Sequence, residues 1–343
     1  MGERPISADM PARLLDESSA SGYLRSRGVI GAEFAQVRAL SGGVSNIVLA
    51  VDSGAARLVL KQSLERLRVR DVWLAPQARI LGEAAALRLA AGLTPGFVPA
   101  VVDVDPERFT LTIQRAPDDW VDWKTVLLAG KVDRCVGAQL GSVLARWHSD
   151  TLGGTGLPDA MIADTDTFQK LRIGPYHETV AARRPELATA IMSVVDRMRA
   201  TRVALVHGDF SPKNVLVGSA AALWVIDFEV AHLGDPAFDL AFLLSHLVMK
   251  SVHVPESAHL FDEVADSFVE AYSRTVPPAL APDMGHLSAQ LGCLLLARVD
   301  GKSPSGYLSS GSAETVWRIG TGLLTEPVDD LSEIAERREL SIR

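Results

Sequence analysis

The stretch that decides the fold reads LVHGDFSPKNVLV at residues 205–217 and continues as LWVIDFEVAHLGDPAFDLA at residues 223–241. Within it, two short apolar runs, at 215–217 and 223–226, flank a turn of small residues. Two such runs joined by a short turn are typical of a β-hairpin. The sequence therefore predicts that the chain doubles back here and carries the end of the second strand to the start of the first.

Three polar residues stand around this hairpin. Asp209 and Asn214 have the Asp-x-x-x-x-Asn spacing of a phosphoryl-transfer loop, and Asp227 directly follows the second strand, where the hairpin returns it to Asn214. Phosphoryl transfer from a nucleoside triphosphate needs a divalent metal on hard oxygen ligands and a carboxylate that orients the attacking hydroxyl. We therefore predict that Asp209 is the catalytic base and that Asn214 and Asp227 bind Mg²⁺. The alternative is that the His-Gly-Asp tripeptide is only a turn after a buried strand.

The N-terminal third has the pattern of a small antiparallel sheet. Residues 34–40 and 46–51 are strand-like and flank a turn, and a third strand is predicted at 57–61. Glycines in the turn let backbone amides approach phosphate oxygens without a Cβ in the way. The candidate phosphate-binding residues of this turn are Ser41, Gly42, Gly43 and Ser45. A Gly-Gly hairpin taken alone is most often only a turn.

The third strand ends in a lysine, Lys61. A lysine in an apolar strand is costly unless its charge is paired. The predicted helix at 80–91 supplies a partner, Glu83, one turn from its start. We predict that Lys61 holds the α- and β-phosphates of the nucleotide and that Glu83 orients it. The alternative is a lysine that reaches solvent from a strand end and a solvated helix glutamate.

Together these motifs resemble the aminoglycoside phosphotransferase and choline kinase group of small-molecule kinases, which share the protein-kinase-like fold. The matching residues are Lys61, Glu83, His207, Gly208, Asp209, Asn214, Ile226, Asp227, Phe228, Glu229, Gly234, Asp235, Pro236, Asp239, Leu240 and Ala241. The resemblance implies ATP and Mg²⁺ as cofactors, with Asp209 as the base. It also implies that the backbone near Gln114 and Ala116 is the hinge that pairs with adenine.

The chain departs from the protein-kinase pattern at Glu229, which stands where protein kinases have glycine, and at Lys213, which directly precedes Asn214. Glu229 is either a further contact for metal or acceptor or a surface carboxylate beside a helix.

Only 11 residues separate Asp227 from Asp239, which opens an apolar helix. Protein kinases place a long activation segment there to hold peptides. The sequence therefore predicts a small-molecule acceptor with a hydroxyl group. We expect Asp239 and Asp235 to be structural, bonding to backbone amides of the catalytic loop or capping that helix.

These patterns predict an α+β, protein-kinase-like bilobal fold. Residues 1–116 form a nucleotide-binding lobe with an N-terminal antiparallel sheet and one helix. Residues 117–343 form a larger, mainly helical catalytic and acceptor-binding lobe, because acids and a proline follow the strand that ends near residue 114.

Composition sets further limits. The 343 residues are 48% hydrophobic and carry a formal charge of −8, which argues against nucleic acid as a partner. Residues 1–11 lack the apolar core of a signal peptide, and the most apolar stretch, 237–249, is too short to cross a bilayer. We expect a cytoplasmic protein without a membrane partner. Cys135 and Cys293 are interpreted as core thiols. The sequence does not indicate an oligomeric state.

The acceptor site is placed on the second lobe. Arg298, Asp300 and Lys302 end the apolar run 291–297 and are candidates to bind a hydroxylated or charged acceptor; a surface ion cluster is the alternative. An aminoglycoside is a polycation, which needs converging carboxylates. We therefore favour a sugar, amino sugar or hydroxylated metabolite over an aminoglycoside-type antibiotic. A nucleotide-binding pseudokinase is a third hypothesis, disfavoured because the predicted base is intact.

Overall fold

The computed structural model describes residues 14–40, 44–68, 73–219 and 222–342. The chain forms two compact units. The first comprises the described residues up to Leu81 together with Val101–Arg115, and the second comprises Gly82–Ala100 and the residues from Ala116 onward. The sequence placed residues 82–100 in the N-terminal lobe, whereas they group with the second unit.

The first unit is built on an antiparallel sheet with the strand order β1-β2-β3-β5-β4. Its elements are α1 Ala20–Ser26, β1 Ala35–Ala39, β2 Asn46–Ser53, β3 Ala56–Ser63, β4 Val101–Asp105 and β5 Thr110–Gln114. Leu24 on α1 packs with Leu49 and Val51 on β2 and Leu60 on β3 in one apolar cluster. Burial of these side chains stabilises the sheet because apolar surface leaves water.

The second unit is mainly helical. Its helices are α2 Arg79–Leu93, α3 Trp123–Leu128, α4 Arg134–Asp150, α5 Asp159–Ala163, α6 Asp166–Phe168, the π-helix Gln169–Glu178, α7 Thr179–Arg183, α8 Ala188–Ala200, α9 Ala237–His253, α10 Ala258–Thr275, α11 Met284–Asp300, α12 Ser310–Thr325 and α13 Leu331–Ile342; α2 belongs to it from Gly82 onward. The predicted α+β class, an antiparallel sheet followed by a mainly helical region, is confirmed.

Helix α9 forms the centre of this unit. Most of its side chains are buried, including Phe238, Phe242 and Leu247. Helices α4 and α10 pack closely because glycines on α4 leave room for the α10 backbone. A Cβ on Gly137 would lie 2.6 Å from the Val264 carbonyl oxygen, which no side chain tolerates.

Short strands carry the predicted hairpin. Strands β8 Val215–Val217 and β9 Leu223–Val225 pair antiparallel, and β8 also pairs with β6 Val121–Asp122. Strand β7 Ala204–Val206 pairs with β10 His232–Gly234. The hairpin is therefore confirmed.

Two further expectations concern single side chains and membrane spans. The prediction of a core thiol holds for Cys293, which is buried, but is wrong for Cys135, which is exposed in the first turn of α4. Among the described residues, no single helix is long and apolar enough to cross a bilayer. Helices Ala237–His253 and Pro255–Thr275 pass that test only as a pair, and the pair is bent by 118°.

Candidate active site

The loop that follows β7 is fixed by Asp239 from the first turn of α9. Its fully buried carboxylate accepts hydrogen bonds from the backbone N–H of His207, at 2.6 Å, and of Gly208, at 2.9 Å. Gly208 has a φ of 76°, and a Cβ there would lie 2.8 Å from the Val230 carbonyl oxygen. Only glycine suits this position. The expectation that Asp239 bonds to catalytic-loop amides is confirmed.

Asp235 has the other expected structural role. One carboxylate oxygen accepts from the Ala237 N–H at 3.0 Å and so caps α9, and the other lies 2.7 Å from His286 Nε2.

Asp209 is 5% exposed and lies between two cations. Its Oδ2 is 3.1 Å from Arg172 Nη2 and 3.2 Å from Lys213 Nζ. Burial by itself raises the pKa of Asp209, but the Lys213 ammonium and the Arg172 guanidinium outweigh burial and hold that pKa below its ordinary value. The carboxylate is therefore ionised at neutral pH.

Arg172 is a site residue that the sequence analysis missed. It is buried, its Nε donates to the Gly208 carbonyl oxygen at 2.6 Å, and its guanidinium lies over the Phe242 ring at 5.7 Å. It comes from the π-helix Gln169–Glu178, which contains Pro175. Proline cannot donate a backbone hydrogen bond, and widened helical turns occur frequently at functional sites. The one signal in the sequence was the position of Arg172 between two apolar residues, Leu171 and Ile173.

His207 joins the catalytic loop to the strand before Asp227. Its Nδ1 accepts from the Asp209 backbone N–H at 3.1 Å, so its Nε2 carries the proton and donates to the Ile226 carbonyl oxygen at 3.1 Å. Burial lowers the pKa of His207, which keeps the ring neutral. The imidazole thus positions both loops without adding charge.

Asn214 and Asp227 are brought together by the hairpin. The Ile226 N–H donates to the Asn214 carbonyl oxygen at 2.9 Å, which places the next residue, Asp227, beside Asn214. Asn214 Nδ2 donates to the Asp209 carbonyl oxygen at 3.0 Å, so its Oδ1 is oriented as an acceptor. Asp227 has a φ of 71°, an uncommon conformation that Asp tolerates better than most residues and that clusters at functional sites.

The side-chain oxygens of Asn214 and Asp227 are suitable ligands for magnesium. Across the part of the chain that the structure describes, no group of three or more His, Cys, Asp or Glu side chains is arranged to hold a metal. Mg²⁺ usually binds through one or two protein oxygens, with waters and substrate phosphates as its other ligands. Asn214 Oδ1 and the Asp227 carboxylate are such oxygens, so the predicted ligands fit the ion.

The predicted nucleotide residues are divided between the two units. In the first unit, Lys61 on β3 is 6% exposed and Gln114 ends β5. Ser45 is half-buried, while Ser41, Gly42 and Gly43 lie outside the described residues. In the second unit, Glu83 on α2 is fully buried and Ala116 is half-buried. The pairing of Lys61 with Glu83 and the roles of these residues stay predictions.

The predicted acceptor residues have separate partners. Arg298 Nη1 donates to the Ser303 carbonyl oxygen at 2.5 Å, whereas Asp300 Oδ2 accepts from Arg184 Nε at 2.7 Å. The side chain of Lys302 is exposed. The three therefore do not act as one cluster.

Glu229 is half-buried and acts through its charge on Arg172. A cavity of about 400 Å³ lined by Phe168, Met198 and Phe238, among others, has neither Asp209 nor Asp227 in its wall.

Comparison with known proteins gives four similarities, two from sequence and two from solved structures. The model of the APH phosphotransferase enzyme family matches residues 36–282. The methylthioribose kinase of Exiguobacterium sibiricum is 26% identical over 268 residues, which cover 70% of this chain and 67% of that protein.

Two solved structures show the same fold at low identity. The choline kinase LicA of Streptococcus pneumoniae has a TM-score of 0.53 and 14% identity, covering 90% of this chain and 98% of its own. The amicoumacin kinase hAmiN, solved in complex with AMP-PNP, Ca²⁺ and Ami, has a TM-score of 0.50 and 16% identity. The match covers 92% of this chain and 96% of hAmiN.

Proposed function

This chain belongs to the phosphotransferase enzyme family and is a small-molecule kinase, and on that premise we propose that it transfers the γ-phosphate of ATP, with Mg²⁺, to a hydroxyl of a sugar or hydroxylated metabolite. The observation that carries the proposal is the environment of Asp209. An ionised, buried carboxylate is held by Arg172 and Lys213 directly beside the oxygen donors Asn214 and Asp227. A nucleotide-binding protein without turnover has no use for such a carboxylate.

The low pKa of Asp209 defines its part in the reaction. A carboxylate that stays ionised is a weak base, so its main task is to accept a hydrogen bond from the acceptor hydroxyl and hold that oxygen in line with the γ-phosphorus. The transition state of phosphoryl transfer is loose and gains most from positioning and charge neutralisation. Both cations contact Oδ2, so Oδ1 is the oxygen that faces the hydroxyl.

The magnesium ion neutralises the charge of the triphosphate when it is bound. Asn214 and Asp227 would hold it, and their geometry is set by groups of this chain. His207 fixes the Ile226 carbonyl oxygen before Asp227, and the Asp209 carbonyl oxygen fixes the Asn214 amide. The same loop therefore positions the base and one metal ligand, which couples the two in space.

A sugar-like acceptor is supported by the similarity to a methylthioribose kinase. Choline kinase and amicoumacin kinase share the fold with different acceptors, so the fold does not select the acceptor.

The test measures ADP release with ATP and Mg²⁺ in the presence of pentoses, sugar acids, amino sugars, aminoglycosides and choline, one at a time. We expect release that depends on one acceptor class, with a product heavier by one phosphoryl group. Asp209→Asn, which keeps the shape and removes the charge, is the matched control and should lose this release. ATP binding without release for any acceptor would support the pseudokinase hypothesis and contradict the proposal.

A further inference from the structure

A buried cation on α9 has no role in the chemistry proposed so far. The side chain of Lys250 is fully buried, and its Nζ donates to the His246 carbonyl oxygen at 3.3 Å and lies 5.5 Å from the centre of the Tyr307 ring. Within the described residues, Lys250 has no salt-bridge partner. Buried ammonium groups are normally paired, because desolvation disfavours the charged form.

Further cations gather around the same ring. Lys124 Nζ lies 5.8 Å from the centre of the Tyr307 ring. Burial lowers the pKa of Lys250 to about 7, and the charges of Lys124 and Arg298 add to that shift. Asp122 acts in the opposite direction, but its carboxylate already caps α3 by accepting from the Thr125 N–H at 2.9 Å.

Several donors at this place have no partner. Arg298 Nε and the hydroxyls of Ser305 and Tyr307 are buried and lack a hydrogen-bond partner in the described protein. Ser305 is 9% exposed. Burial raises the pKa of the Tyr307 phenol, and the nearby Ser305 hydroxyl acts in the opposite direction. The two hydroxyls are close, but they do not form a hydrogen bond with each other. Buried polar groups are rarely left unpaired.

We name these residues the Tyr307 cluster: Lys124, His246, Lys250, Arg298, Ser305 and Tyr307. Its members come from α3, α9, α11 and the loop before α12. Their common property is an excess of hydrogen-bond donors and positive charge.

The cluster lies on the catalytic side of α9. Asp239, Phe242, His246 and Lys250 recur every three or four residues and so share one face of the helix. The Phe242 ring contacts both the Arg172 guanidinium, at 5.7 Å, and the His246 ring, at 5.4 Å. Lys250 follows Asp239, which holds the catalytic loop, by 11 positions, or roughly 16 Å along the helix.

Electrostatics agree with this placement. The pKa of His246 lies well below its ordinary value, first because of burial and then because of the charges of Lys250, Arg298, Lys213 and Lys124. Lys213, which contacts Asp209, is therefore among the charges that act on His246.

We propose that the Tyr307 cluster binds an anionic group, a carboxylate or a phosphate, carried by the alcohol that this enzyme phosphorylates. The proposal rests on the proposed function and narrows its substrate class to hydroxylated anions. A carboxylate or phosphate accepts from several donors at once and is strongly held by cations in a dry site. Polycations and quaternary ammonium alcohols are repelled by the same residues.

The test compares matched acceptors on the wild-type enzyme. Each hydroxy acid or sugar acid is paired with its neutral amide or parent sugar, and each sugar phosphate with its parent sugar. We expect the anionic member of at least one pair to have a KM roughly tenfold or more below that of the neutral member, the factor given by one charge-assisted hydrogen bond. The two kinds of pair distinguish carboxylate from phosphate.

Lys250→Met tests the residue itself. Methionine has a similar length without charge, so the variant should fold at least as stably as wild type, while the KM for the anionic acceptor rises roughly tenfold or more. Lys131→Met, at an exposed lysine outside the cluster, is the matched control and should leave that KM unchanged.

A readout independent of turnover uses inorganic phosphate and acetate as probes in thermal unfolding. Both should raise the melting temperature of wild type more than that of Lys250→Met. Equal KM values within each acceptor pair, with equal stabilisation of both proteins by the probes, would overturn the inference while leaving the kinase assignment intact. If no acceptor led to ADP release, the proposed function itself would be contradicted.

Discussion

Replacing Arg172 by methionine tests whether the buried guanidinium sustains the ionised state of Asp209. Arg172 and Asp209 have side-chain exposures of 8% and 7%, so their interaction is little screened by solvent. Removing one partner of a buried ion pair typically destabilises a protein by about 3–5 kcal/mol. Loss of the bond to the Gly208 carbonyl oxygen adds to this, because an orphaned buried acceptor costs about 1–3 kcal/mol.

Two features reduce the net effect. Lys213 remains 3.2 Å from the same carboxylate oxygen, although its side chain is 55% exposed and compensates only in part. The methionine side chain also keeps some of the packing against Phe242. We therefore expect the free energy of unfolding to fall by about 3 kcal/mol, the lower end of the range for a broken buried pair.

The pH dependence gives a second readout. The folded-state pKa of Asp209 lies below its ordinary value of 3.8, so the ionised carboxylate stabilises the fold above that pH, and this stabilisation is lost as the pH falls through the folded-state pKa. Without Arg172, less positive charge opposes desolvation, and the pKa of Asp209 rises. As the pH is lowered, the free energy of unfolding and the turnover rate should therefore both begin to fall at a higher pH in the variant than in wild type.

Urea unfolding followed by tryptophan fluorescence at several pH values measures both effects. Arg197→Met is the control, because Arg197 pairs with Asp283 at the surface with side-chain exposures of 49% and 55%. Such pairs contribute about 0–1 kcal/mol. Our account of Asp209 is wrong if Arg172→Met has the same free energy of unfolding as Arg197→Met and loses stability at the same acid pH as wild type.

The remaining predictions concern the base, the metal ligands and the thiols. Asp209→Asn should lower kcat by at least about 10²-fold while ATP affinity changes little, because base and metal ligands are separate side chains; loss of ATP binding with retained kcat would reverse these roles. Asp227→Ala should weaken ATP binding in calorimetry with Mg²⁺ but not with EDTA, and equal weakening in both would exclude a metal role. A thiol reagent should label Cys135 in the native protein and Cys293 only after unfolding, since Cys293 is buried and burial raises its pKa. Rapid labelling of both would contradict that burial.

Local patterns predicted the parts of the protein that depend on neighbouring residues. The hairpin after Asn214 follows from two apolar runs and a turn, and its backbone hydrogen bonds carry Asp227 to the place that the spacing indicated. The strands around residues 46–51, 57–61 and 110–113 appear as β2, β3 and β5, because short apolar runs bounded by turn residues are visible in the sequence.

Residues that act on the site from distant parts of the chain were not predictable in this way. Arg172 precedes Gly208 by 36 residues and reaches it from a π-helix, a form with no reliable sequence pattern. The exposed position of Cys135 depends on which face of α4 packs on α10, and the grouping of Arg298 with Ser303 depends on how the chain turns after α11.

The sequence by itself determined the reaction class, because Asp209, Asn214 and Asp227 are placed by hydrogen bonds between residues close in the chain. Only the tertiary structure decided how that carboxylate is kept charged and which cations come together in the Tyr307 cluster. Both depend on cations such as Arg172 and Lys250, whose effects are set by burial and by distance through space. Neither quantity is expressed in residue spacing.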